Sequence, residues 1–229
     1  MEPILERLSA QDCDMLIAAS NELHIPKNSF VFKEGTPADH IYFLSQGKVH
    51  VYKKIQSNKE LTIFTRGVHD GIGEIGVFGG VNYSNSAKAL QDSVIYAIER
   101  KTIEDILSQN GRLSLQFTRW MAESLESSKA KIRDYIAFGS EGAVASVFVR
   151  YSNMHGVVTP NGVRITEPVM IQDISKHIAI SRETVSRIVN KWKSQGIIDN
   201  ENKFFLIKDM NYFKKLLACD QCSVENCSL

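Results

Sequence analysis

From Arg112 to Phe138 the chain carries neither glycine nor proline, and that uninterrupted stretch most limits how it can fold. Leu113, Phe117, Trp120 or Met121, Leu125, Ser128, Ile132 and Tyr135 follow one another at intervals of three and four. The spacing predicts one long helix with a continuous apolar stripe, and Arg112, Glu123, Glu126, Lys129 and Lys131 lie off it. A helix this long with a heptad-like seam is suited to pairing with its twin, which predicts a homodimer. Packing onto its own domain would need only a shorter, interrupted helix.

The two flanks of this helix have different periods. Before it, Val31-Phe32, Ile41–Leu44, Val49–Tyr52, Leu61–Phe64 and Val94–Ile98 are short β-branched or aromatic runs. Gly35-Thr36-Pro37, Gln46-Gly47, Ser57-Asn58 and a glycine-rich stretch from Gly67 to Gly80 separate them, so residues 23–100 predict a small sandwich or barrel. His40 to Tyr52, with Gly47 in the middle, reads as strand, tight turn, strand. Gly71-Ile72-Gly73 and Gly79-Gly80 are too loosely spaced for a dinucleotide fingerprint and read as turns.

After the long helix, Gly139-Ser140-Glu141-Gly142 marks a hinge and a domain boundary near residue 139. A helix over Ala143 to Asn153 follows, then Asn161-Gly162 between two valine-containing runs, a hairpin signal. Ile171, Ile174 and Ile178 turn one helix face inward, Ile180-Ser181 forms a turn, and Ser181 caps a second helix. That second helix buries Val185, Ile188, Val189 and Trp192 and offers Arg182, Glu183, Ser186, Arg187, Asn190 and Lys191 on its other face. Early residues of the second helix of a helix-turn-helix reach base edges. Arginine suits guanine and glutamate suits the cytosine amino group. Ile197-Ile198 and Phe204–Ile207 around a polar turn read as a wing hairpin.

The charge balance agrees with a local rather than a global role. Net charge is +1, so any nucleic-acid contact has to come from a patch. Asp173 to Lys193 supplies one, with five Lys or Arg against two acids. A hydrophobic fraction of 43% excludes a disordered chain. No apolar run approaches a bilayer span, and the first residues lack the layout of a signal peptide, which predicts a cytoplasmic protein without a membrane partner. No nucleophile–base grouping supports an enzyme.

Cysteine use is lopsided, with Cys13 near the start and Cys219, Cys222 and Cys227 together at the end. In a reducing compartment such a trio reads as a metal site or a redox device. Iron–sulfur clusters take Cys thiolates as their usual ligands. Zinc with a fourth oxygen or nitrogen ligand, and a thiol switch, are the other readings.

Through these residues the chain resembles the CRP/FNR family of transcription regulators over nearly its whole length. Gly35, Gly47 and Gly73-Glu74-Ile75-Gly76 resemble the family's structural glycines, and Arg182-Glu183-Thr184-Val185-Ser186-Arg187 resembles its recognition-helix core. The resemblance implies an α+β fold: a β-roll over 1–110, cupin-like and of the cyclic-nucleotide-binding kind, and a dimerisation helix over 111–138. A winged helix-turn-helix over 139–218 and a cysteine tail over 219–229 complete it. It implies DNA and RNA polymerase as partners, with Arg182, Glu183 and Arg187 on the positions that read a TGTGA half-site, Ser186 beside them and Lys191 on phosphate. The cyclic-nucleotide branch holds its phosphate with an Arg-Ser or Arg-Thr pair, but here the corresponding stretch is Tyr83-Ser84-Asn85-Ser86-Ala87. No arginine occurs between Arg66 and Arg100, so cyclic AMP is not expected as effector.

The cysteine spacing resembles the Bacillus-type branch of FNR, which implies a [4Fe–4S] cluster on Cys219, Cys222 and Cys227. By the same resemblance Asp134, at the end of the long helix, is the fourth ligand; Cys13, Glu141, a histidine or water are the alternatives. The implied function is an oxygen-responsive regulator. A regulator of the same family governed by thiol redox state or an unknown small molecule is the alternative.

Overall fold

The computed structural model describes residues 2–56, 59–222 and 227; the Ser57-Asn58 turn lies outside them. The chain forms two compact units, Glu2–Glu123 and Ser124–Leu229, and the division falls inside the long helix.

In the first unit, a short 3-10 turn (Ile4–Arg7) precedes α1 (Ala10–Ala18), whose N-cap Ser9 accepts from the Asp12 backbone N–H at 3.2 Å. Among the described residues eight strands follow: β1 (Asn21–Ile25), β2 (Phe30–Phe32), β3 (His40–Gln46), β4 (Val49–Gln56), β5 (Lys59–Arg66), β6 (Gly71–Ile72), β7 (Ser86–Ala89) and β8 (Ser93–Glu99). They make two antiparallel sheets, ordered β1-β8-β3-β6 and β2-β7-β4-β5. Phe32, Val49, Val51 and Phe64 of one sheet meet Tyr42, Leu44, Ile72 and Ala97 of the other in a common core. Ile41 to Leu44 is buried throughout because β3 is an inner strand.

His40 to Tyr52 is strand, turn, strand as expected, yet β3 and β4 lie in different sheets. The crossing is made at Gly47 (φ 98°), where a Cβ would stand 2.1 Å from Ser93 Oγ. The glycine-rich stretch is not turns alone. It contains α2 (Glu74–Gly79), because Gly73 and Gly76 pack where a side chain has no room: a Cβ on Gly76 would be 2.8 Å from that of Ala38. After β8, α3 (Arg100–Gln109) leads into α4 (Gly111–Ala137).

The α4 stripe divides in two. Leu113, Phe117 and Trp120 are buried, whereas Leu125, Ile132 and Ile136 are exposed at 57%, 58% and 78%. Lys131, off the stripe by sequence, is buried. The chain breaks only at Phe138, and helix resumes at once in α5 (Gly139–His155), starting with Gly139 at φ 61°. The expected four-residue hinge is thus a single left-handed residue opening a helix.

In the second unit, α5 carries the core. Strands β9 (Gly156–Thr159) and β10 (Gly162–Ile165) form the Asn161-Gly162 hairpin. Then come α6 (Ile171–Ile178), α7 (Arg182–Ser194), β11 (Ile198–Glu201), β12 (Phe204–Ile207) and α8 (Met210–Leu216). The wing and the hairpin join in one sheet, ordered β11-β12-β10-β9. Phe148, Trp192, Phe205 and Phe213 interlock at ring separations of 4.8–6.0 Å. Among the described residues no helix is long and apolar enough to cross a membrane.

Candidate nucleic-acid interface and cysteine cavity

Ala179 (φ 52°) closes α6 and reverses the chain, a left-handed position held here without glycine. Ser181 then caps α7, its Oγ accepting from the Thr184 N–H at 3.2 Å. Val185, Ile188, Val189 and Trp192 are buried against α5 and α6, which fixes the opposite face outward. Arg182, Glu183, Arg187 and Asn190 are exposed and Ser186 is half-buried. Arg182 and Arg187 enter no ion pair among the described residues. The base-reading candidates therefore share one open surface.

Lys191 is placed differently. Its ammonium donates to both carboxylate oxygens of Glu141, at 3.0 Å each. The same carboxylate accepts from the Trp192 indole N–H and the Tyr212 hydroxyl, each at 3.0 Å. Burial opposes a charge on Glu141, but the bonds from Lys191, Trp192 and Tyr212 outweigh it and hold its carboxyl below the usual range. Glu141, an alternative metal ligand by sequence, is thereby committed to the recognition helix.

Asp134, Cys219, Cys222 and Cys227 line one cavity of about 730 Å³ in the second unit. Asp134 lies on the last turns of α4 and is buried. Its Oδ1 accepts from Arg133 at 2.8 Å, and its Oδ2 accepts from Ser146 Oγ at 2.7 Å and Arg150 Nη2 at 3.3 Å. Arg150 is fully buried and also donates to Ser146 Oγ at 3.1 Å. After α8 the chain turns at Ala218 (φ 46°) into the 3-10 turn Cys219–Gln221. Cys227 is tied in by its carbonyl, which accepts from Asn153 Nδ2 at 2.9 Å. Burial pushes the Cys219 and Cys227 thiols up, against the opposing pull of Arg133 and Arg150. Among the described residues no three of His, Cys, Asp and Glu converge closely enough to hold a single metal ion. Cys13 sits in the first unit, its thiol donating to the Leu5 carbonyl at 3.4 Å.

Arg150 and Ser146 were not singled out by sequence. Their signal is a lone cation directly after the run Ala143 to Val149, spaced i, i+4 from the serine within it, since a buried charge needs a partner.

A β-sandwich sensor-type domain followed by a winged helix-turn-helix defines a DNA-binding transcription regulator. The sequence profile of the cyclic nucleotide-binding domain matches residues 22–110, and that of the Crp-like helix-turn-helix domain matches residues 143–216. The anaerobic regulatory protein of Bacillus subtilis (strain 168) is 31% identical over 225 residues, covering 97% of this chain and 94% of that one. The CRP-like cAMP-activated global transcriptional regulator of Mycobacterium tuberculosis (strain ATCC 25618 / H37Rv) is 25% identical over 80% of this chain and 82% of its own. A CooA mutant from Carboxydothermus hydrogenoformans has the same fold, with a TM-score of 0.81 at 19% identity, over 94% of this chain and 96% of that one. This chain belongs to the CRP/FNR family. It is a transcription regulator that binds DNA, not an enzyme.

Proposed function

We propose that the chain is an oxygen-responsive, homodimeric regulator of anaerobic gene expression, with a [4Fe–4S] cluster held by Cys219, Cys222, Cys227 and Asp134. The observation that carries this reading is the meeting of all four side chains at one cavity. The donor set fits the group: three soft thiolates suit iron–sulfur chemistry, and ligands to separate irons need to face one cavity rather than one point. Arg133 and Arg150 set two cations beside that anionic set and hold the Asp134 carboxylate in place. When bound, the cluster supplies an oxygen-labile cross-link between the end of α4 and the tail that follows α8.

The α4–α5 junction at Phe138-Gly139 lies between Asp134 and the recognition helix in sequence. Asp134 and the cysteine tail thus brace the segment that sets the separation of two recognition helices along the duplex. Exposed Leu125, Ile132 and Ile136 support pairing of α4 with its twin. Arg182, Glu183 and Arg187, with Ser186 beside them, read a TGTGA-type palindrome in this scheme. RNA polymerase is the further partner, the cytoplasm is the setting, and cyclic AMP is not the effector. The anaerobic role printed in the name of the Bacillus subtilis relative agrees with this reading.

The test is the iron and acid-labile sulfide content of protein purified without oxygen, with DNA affinity measured before and after air. Iron should be present, each of Cys219→Ser, Cys222→Ser and Cys227→Ser should abolish it, and Cys13→Ser should leave it. Affinity should favour a TGTGA-type palindrome over random DNA and fall after air. Zinc in place of iron, or full iron retention after loss of any one C-terminal cysteine, overturns the cluster.

A further inference from the structure

Three donors from two helices converge on Glu141, the third residue of α5. A carboxylate there gains from the helix N-terminus as well as from its partners. Trp192 is the fully buried anchor of α7, and its indole N–H is the one polar atom that such a ring has to satisfy. Glu141 satisfies it, and so fixes α7 against the start of α5. The Lys191 pairing has a separate consequence. Lys191 follows Arg187 by four residues, so it sits on the same side of α7 as a base-reading candidate. Its charge, however, is turned toward Glu141 rather than left open as Arg187 is.

We infer that Glu141 is a positioning residue of the DNA interface, holding the recognition helix by Trp192 while withholding the Lys191 ammonium from the sugar–phosphate backbone. Phosphate contacts raise affinity for every sequence alike, whereas base contacts distinguish one sequence from another. A cation kept off the backbone therefore lowers affinity for all DNA and its sensitivity to salt, while the difference between one sequence and another is left to the base contacts. The inference rests on the helix-turn-helix alone and does not depend on any metal.

The measurement is the salt dependence of binding to a random-sequence duplex, made on the full-length dimer. Glu141→Gln keeps an acceptor for Trp192 and removes the charge that holds Lys191. It should steepen the slope of log affinity against log salt by about 0.9 per protomer, the value of one added phosphate contact. Between 50 and 200 mM salt that is roughly a three- to fourfold larger loss of affinity per protomer. Affinity for the specific palindrome and for random DNA should rise together at low salt, leaving the preference between them unchanged. Glu141→Ser serves as a second variant with room for water at the Trp192 and Tyr212 donors, and should give the same steepening. In Glu141→Gln/Lys191→Met the gain should vanish. An unchanged slope in both single variants overturns the inference, as does a gain that survives loss of Lys191.

Discussion

The two units leave space in opposite places. In the β-sandwich, the cleft bounded by Gly73, Glu74, Gly76 and Tyr83 encloses only about 10 Å³. Phe32 and Tyr83 are stacked across it at 4.0 Å between centroids, with Tyr42 5.7 Å from Phe32. The second unit instead keeps a cavity of about 730 Å³ lined by Arg133, Arg150, Asp134 and the three C-terminal cysteines. Small-molecule sites run to about 300–1,000 Å³ with a few convergent polar groups. In the domain whose sequence profile is that of a nucleotide binder, this cleft is thus filled by its own aromatic rings, and the larger polar cavity lies in the unit that carries the helix-turn-helix. The difference separates the fold of a ligand-binding domain from the place where the chain keeps an open, polar cavity.

The sharpest way to break this contrast is to empty each lining in turn. Tyr83 is buried, stacked on Phe32, and its hydroxyl donates to the His40 carbonyl at 2.6 Å. Tyr83→Ala should cost about 3–5 kcal/mol, the usual range for removing a buried aromatic ring. Lys214→Ala, at the exposed rim of the C-terminal cavity, should stay within about 0.5 kcal/mol. Denaturant titration reads both. Equal costs would mean that the aromatic stack is not what closes the β-sandwich.

A second test uses charge rather than volume. Burial pushes Glu74 up to about 7, opposed by the nearby Arg66 guanidinium. Its folded value lies above the ordinary 4.5, so the folded chain keeps a proton that the unfolded chain releases. Stability should therefore fall as pH rises from about 4.5 to about 7 and level off above that. Glu74→Gln should flatten the profile over that window. A profile identical to the parent's would place the titrating group elsewhere.

How much of this was legible in sequence depended on whether a residue's role is local. Strands β3, β4, β5 and β8 announced themselves through β-branched and aromatic runs, and α7 through its inward apolar positions and its capping serine. Strands β1 and β7 did not, because Asn21–Ile25 is mostly exposed and Ser86–Ala89 is held by pairing with Val49–Tyr52 rather than by propensity. Helix α2 hid behind glycines that are there for close packing. Around the cavity the cysteine spacing was readable, whereas Arg150 and Ser146 acquire meaning only once α5 lies beside the end of α4. The same holds for Glu141, a hinge residue by sequence and the acceptor for Trp192, Lys191 and Tyr212 in three dimensions.

The smallest effect is expected where the family resemblance would suggest the largest. Calorimetric titration with cyclic AMP should give no saturable heat, for two independent reasons. The cleft has no volume for a nucleotide without displacing the Phe32–Tyr83 stack, which is itself part of the core. A buried phosphate also needs a cationic partner, and the arginines that bracket the stretch are already engaged. Arg66 is buried and paired with Asp70 at 3.0 Å, while Arg100 donates to the backbone carbonyls of Gly76, Val77 and Gly80. Lys53 is nearer the loop, yet it is held by Glu34 at 2.6 Å and by the Ser84 carbonyl at 2.8 Å. A nucleotide would have to break a ring stack and at least one of these pairs before gaining any contact of its own. Micromolar affinity would show that the cleft opens at little cost, and the contrast between a filled and an open unit would then describe one state of the β-sandwich rather than its design.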